Sequence, residues 1–125
     1  PFTHRGPACT KNHRRRFVPC VSNAVYAVPF SCSLQYIGQS KRCINDRLRE
    51  HFNNVRNGVR SSEIAEHAKS CSCDPLWSES SVLCREPDLT KRLFLEASLM
   101  ASVGNAVSCP SVCVSRTLKS FLTNR

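Results

Sequence analysis

The chain has 125 residues, with 18 Lys plus Arg against 9 Asp plus Glu for a formal net charge of +9, and it is 41% apolar and 22% charged. That length and composition describe one basic domain with short appendages, and exclude both a wholly disordered chain and a pair of full domains. The sequence contains no apolar run of about 18 residues, so it has no transmembrane helix; it opens on Pro1 without a signal-peptide core and reads as a fragment from the C-terminal end of a longer protein.

Residues 1–23 hold Arg14, Arg15, Arg16, His4, His13, three prolines and two cysteines but no sustained periodicity, the pattern of a basic flexible arm or linker. From Ala24 the character changes. Ala24 to Val28 and Leu34 to Gly38 are short β-branched and aromatic runs a few residues apart, which predicts a hairpin. Ile44, Leu48, Phe52 and Val55 recur at helical spacing, predicting a helix over Cys43 to Val55 that stops among Asn53, Asn54, Asn57 and Gly58. Ser61, Ser62 and Glu63 offer caps for a short helix that must end before Pro75. Trp77 to Cys84 predicts a third strand. Pro87 and Asp88 open another helix, with Leu89, Leu93, Ala97 and Met100 as its apolar stripe and Gly104 as its terminator. Beyond Val107 comes a Ser- and Cys-rich connection and a short helix around Leu118, Phe121 and Leu122. The order predicts an α/β or α+β layer fold, a small three-stranded mixed or antiparallel sheet flanked by helices.

Excess positive charge makes a polyanion the leading partner class, because phosphate neutralisation supplies most of the affinity for nucleic acid. Nine cysteines, an odd number with Cys71-Ser72-Cys73 near His67, fit thiolate metal ligation in a reducing compartment better than a disulfide framework. Cys9, His13 and Cys20 offer a further ligand set that would need a fourth residue from upstream. Glu96 falls on or beside the apolar stripe of its helix, where a carboxylate must be paired, protonated or metal-bound. Arg47 and His51, four apart, share a helix face and suit a phosphate clamp beside a proton-transfer group as well as a solvated face. Tyr26 and Tyr36 sit centrally in the two predicted strands, and Gly38 leaves room for close approach of a ligand.

Taken in order, Val25-Tyr26-Ala27, then Tyr36-Ile37-Gly38, then Arg47-x3-His51 and a late helical Glu96 resemble the GIY-YIG nuclease family. The stretches Val25 to Cys32, Tyr36 to Ser40 and Arg47 to His51 are similar in particular to the endonuclease domain that ends Penelope-like retroelement proteins. The likeness spans about residues 24–122, leaving 1–23 as the arm and 123–125 as a tail. It implies a GIY-YIG-like fold and a DNA endonuclease, with a reverse transcriptase region upstream in the same polyprotein and a nuclear, intracellular site of action. By the same resemblance Tyr26 and Tyr36 are the motif tyrosines, Gly38 and Gln39 lie against substrate, and Arg47 binds phosphate. His51 positions or deprotonates the attacking water, and Glu96 holds one Mg²⁺ or Mn²⁺. The basic run Arg14, Arg15 and Arg16 would grip the DNA backbone. Cys32, His67, Cys71 and Cys73 then correspond to a zinc-binding insertion, with Phe30 where relatives often carry another cysteine. The first motif reads Val-Tyr rather than Ile-Tyr. The competing expectation is a catalytically degenerate, zinc-stabilised nucleic-acid-binding domain that retains the fold.

Overall fold

The computed structural model describes residues 9–108 of the chain. The fold is α+β: one three-stranded sheet and three helices. Strand β1 (Ala24–Pro29) pairs antiparallel with β2 (Gln35–Ser40) on one edge and with β3 (Ser81–Arg85) on the other, giving the order β2-β1-β3. Central β1 is buried on both faces, which is why Ala24 to Val28 reads as a continuous apolar run without alternation. Edge strand β3 alternates, with Val82 and Cys84 turned inward.

Helix α1 (Ile44–Asn57) ends in a left-handed Gly58 at φ 63°, whose N–H closes on the carbonyls of Asn54 and Val55. The predicted stop is thus at the second asparagine cluster; Asn53 and Asn54 stay helical. Helix α2 (Glu63–Cys71) starts on Ser62, whose hydroxyl accepts the Ala65 N–H, and helix α3 (Leu89–Val103) starts on Asp88, whose carboxylate accepts the Lys91 N–H. Pro87 precedes the cap rather than occupying the first turn. The third strand is shorter than predicted, because Trp77–Glu79 forms a 3₁₀ turn before β3 begins at Ser81. That turn lays Trp77 against Phe17 and Phe52, ring centroids 6.2 Å and 5.9 Å away.

The sheet has two covered faces. Tyr26, Val28 and Tyr36 pack with Ile44, Leu48 and Ile64 from α1 and α2, while Val25, Ala27 and Ile37 pack with Met100 of α3. Each fully buried aliphatic side chain contributes about 1.5–3 kcal/mol. Two expectations are corrected here. Leu89, placed on the inward stripe of α3 by spacing, is exposed; the buried face consists of Arg92, Glu96, Ala97 and Met100, so two charged groups turn toward the sheet. And residues 9–23, which hold no helix or strand, are not a free arm. Phe17 and Val21 belong to the core, and the buried Asn45 side chain ties the segment to α1 by accepting the Phe17 N–H at 2.8 Å and donating to the Val18 carbonyl at 2.8 Å. The helix expected around Leu118, Phe121 and Leu122 and the tail 123–125 lie outside the described residues.

Candidate active site and metal clusters

The register of the hairpin puts Tyr26 opposite Gly38, and the helix that follows β2 turns back over the same end of the sheet. The result brings together residues drawn from β1, β2 and α1. Tyr26 Oη lies 2.8 Å from His51 Nε2, and the Tyr36 ring meets the His51 ring edge-on at 5.0 Å between centroids. Gly38 is required there for space: a Cβ on it would stand 2.7 Å from Tyr26 Oη and 2.8 Å from Tyr36 Cε2. The glycine of the second motif therefore lets two phenols and an imidazole share one pocket.

Burial sets the charge states. Desolvation raises the Tyr26 phenol well above the ordinary tyrosine range and pushes Tyr36 up to about 12, the Arg47 guanidinium opposing the rise in both and the Glu96 charge adding to it. Desolvation, then the positive charge of Arg47, lowers His51 to about 3, so its imidazole is neutral. With the phenol protonated and the imidazole neutral, Tyr26 Oη and His51 Nε2 share one hydrogen bond, and His51 Nδ1 is buried with no hydrogen-bond partner among the described residues. Arg47 is the accessible member of the group, with 32% of its side chain exposed, and its Nη1 donates to Glu50 Oε1 at 2.9 Å. Glu50 in turn takes a two-pronged hydrogen bond from Arg42. Glu96 of α3, with 1% of its surface exposed, is close enough for its charge to add to the rise of both tyrosines.

Gln39 points to the other face of the sheet, where its Oε1 accepts from Arg92 Nε at 2.7 Å; Arg92 Nη1 also donates to the carbonyls of Glu86 and Pro87. Gln39 is thus held by a buried arginine whose partners its spacing gave no sign of. Arg14, Arg15 and Arg16 are exposed, and Arg15 stacks over Phe17 at 4.8 Å. With Lys11, Arg49 and others, Arg14 and Arg15 line a shallow surface depression at the start of α1.

Among the described residues, two Cys/His clusters can hold a metal such as zinc. In the first, the hairpin turn supplies Cys32 and the end of α2 supplies His67, Cys71 and Cys73, and all four ligand atoms lie within 4.8 Å of one another. Backbone bonds from Ser31 N to Asp74 O and from Leu76 N to Pro29 O draw the two loops together, and left-handed Ser72 (φ 58°) turns the chain so that Cys71 and Cys73 converge. Cys32 Sγ is 3.3 Å from His67 Nε2, a contact that lowers the thiol to about 7. Phe30 is buried and packs its ring on His67. The second cluster joins Cys9, His13 and Cys20 to Cys43. The fourth member comes from within the chain, at the foot of α1, and not from upstream as the spacing suggested.

No protein-family model, curated protein or solved structure matches the chain. The functional reading rests on motif order and on this geometry.

Proposed function

We propose that the chain is a divalent-metal-dependent DNA endonuclease domain that hydrolyses phosphodiester bonds, nicking target DNA for a retroelement. The observation that carries the reading is the convergence of Tyr26, Tyr36 and His51 around a glycine whose place a larger residue could take only by displacing the two phenols, with Arg47 at the accessible rim and Glu96 of α3 close enough for its charge to act on both tyrosines.

A scissile phosphate docks on Arg47, whose planar cation matches its oxygens and stabilises the charge that builds up during attack. Docking also acts on the base. Arg47 is the second cause, after desolvation, of the low His51 proton affinity, so a phosphate that offsets its charge makes the imidazole a better acceptor. Tyr26 then takes a proton from the attacking water while passing its own to His51 Nε2 across the 2.8 Å hydrogen bond. Tyr36 packs against His51 and fixes the plane of the ring. Glu96 is the carboxylate for Mg²⁺ or Mn²⁺: a hard oxygen donor beside two phenols suits cations that keep most of their waters. Such an ion, when bound, polarises the phosphate and stabilises the leaving oxygen. The Cys32, His67, Cys71 and Cys73 group takes a structural zinc that locks the hairpin turn to α2. Arg14, Arg15 and Arg16 add sequence-independent backbone contacts.

One observation favours a second reading, a catalytically degenerate nucleic-acid-binding domain: Glu96, Tyr26 and His51 are all nearly closed to solvent. Incubation of the chain with supercoiled plasmid, with and without Mg²⁺ or Mn²⁺, separates the two. Metal-dependent nicking that Glu96→Ala abolishes while keeping most DNA affinity supports the nuclease. Salt-sensitive binding without cutting by the parent chain supports the binding domain.

A further inference from the structure

We propose that Cys9, His13, Cys20 and Cys43 form a second structural zinc site, one that fastens the N-terminal segment to the start of α1. The inference stands apart from the nuclease reading, since it uses none of the same residues.

Four soft ligands converge from two separated stretches: three from the segment before the sheet and one from the residue that precedes the first turn of α1. His13 Nε2 lies 3.3 Å from Cys9 Sγ and 3.5 Å from Cys43 Sγ. Ligand atoms around tetrahedral zinc stand about 3.5–3.8 Å apart, given bonds of about 2.0–2.3 Å. The histidine already faces the thiols through one nitrogen.

The surroundings are those of a supported metal site. His13 faces Asp46 Oδ1 with Nδ1 at 3.5 Å, the side from which a carboxylate supports a ligating histidine, and leaves Nε2 toward the thiols. Asp46 is itself paired with Lys11. Asn45, fully buried, donates from Nδ2 to Cys20 Sγ at 3.4 Å while its amide also holds the Val18 carbonyl, so one side chain secures both a thiolate and the backbone beside it. Cys43 is buried directly before the first turn of α1, so its sulfur is held in place by the helix start. Three sulfurs and one nitrogen in this arrangement select zinc over magnesium or calcium.

The site explains an otherwise awkward feature of the fold. Cys9 to Cys20 carries Lys11, Arg14, Arg15 and Arg16, has no helix or strand beyond isolated bends, and still runs in close contact with α1. Like charges on an irregular segment resist being gathered, and a metal joining both ends of that segment to Cys43 offsets the cost.

The full chain, produced with zinc in the medium and freed of loosely held metal, is assayed for zinc per chain beside Cys9→Ser and Cys32→Ser. Cys9 is only partly buried, so its replacement leaves the sheet and helices in place. The parent should carry one more zinc equivalent than Cys9→Ser, whatever Cys32→Ser does; a Cys9→Ser chain with the parent's zinc content overturns the proposal. A second measurement is tryptic cleavage after Arg14, Arg15 and Arg16. It should run at least about tenfold faster in Cys9→Ser, or in the parent after chelation, with the circular dichroism of the core kept. Equal cleavage in loaded parent and variant refutes the site.

Discussion

Tyr26 Oη and His51 Nε2 stand 2.8 Å apart with both side chains shut off from solvent, a phenol–imidazole pair in which neither partner is charged at neutral pH. The pair has a consequence for stability. His51 titrates near 6.5 when unfolded and near 3 when folded, held down by burial and by Arg47, against the weaker opposite pull of Glu50; Tyr26 and Tyr36, the other titratable neighbours, stay protonated throughout. Between those values the unfolded chain binds a proton that the folded chain does not. Stability therefore falls as pH falls through that window, by up to about 1.4 kcal/mol per unit from this residue. Urea denaturation of the parent and of His51→Gln from pH 7 to 4 should show a shallower acid slope in the variant; parallel slopes would mean that His51 is not buried neutral.

Gly38 faces the same pair from β2. With 2.7 Å and 2.8 Å left between a new Cβ and the two tyrosine rings, Gly38→Ala forces packed side chains to move, an overpacking cost of about 1–3 kcal/mol. The expected readout is a lower urea midpoint together with a disturbed tyrosine near-ultraviolet signal. An unchanged midpoint would show that the rings have slack the packing does not suggest. Gly58→Ala is the control for a different cause, because there nothing lies within 4 Å and the strain comes from φ 63° alone.

The strands and helices were legible where a single period runs long enough, as in Ile44, Leu48, Phe52 and Val55, and where capping chemistry is explicit, as at Ser62 and Asp88. Trp77 to Glu79 misled because three residues are too few to tell a turn from a strand, and the position of Trp77 is decided by Phe17 and Phe52 far away in sequence. The stripe on α3 misled for another reason. Leu89 obeys the helical spacing but lies in the exposed first turn, while Arg92 and Glu96 take inward positions that hydrophobic pattern assigns to apolar residues. At the site itself, Tyr26, Tyr36, Gly38 and His51, named from their order in the chain, lie together in the fold. Cys43 as a fourth ligand was invisible, since only the fold carries the N-terminal segment to the foot of α1.

Arg92 is a buried cation whose Nε and Nη1 reach Gln39 Oε1 and the carbonyls of Glu86 and Pro87, so it joins α3 to β2 and to the chain entering the helix. Arg92→Met should cost about 2–4 kcal/mol, because it leaves these acceptors buried without their donor. Gln39→Met alone should cost less, since Arg92 keeps its two carbonyls. A double-mutant cycle on the two positions, read by chemical denaturation, should return a coupling of about 1 kcal/mol or more. Strict additivity would show that the 2.7 Å bond is not formed in solution.

Asn45 decides whether the segment before β1 is part of the domain. Its side chain accepts the Phe17 N–H, donates to the Val18 carbonyl and contacts Cys20 Sγ, and none of its surface is exposed. Replacing it with Ala strands a backbone donor and a backbone acceptor in the interior at once, which should destabilise the chain by about 2–4 kcal/mol. Asn45→Asp keeps the acceptor for Phe17 but loses the donor to the Val18 carbonyl and buries a negative charge beside the cysteines, so it should not restore the parent's stability. Hydrogen exchange at the Phe17 amide gives the local reading. Protection in the parent that drops in Asn45→Ala, while Ile37 stays protected, is the result expected of a local tie through this side chain; a Phe17 amide that exchanges freely in the parent would return residues 9–23 to the role of a loose arm.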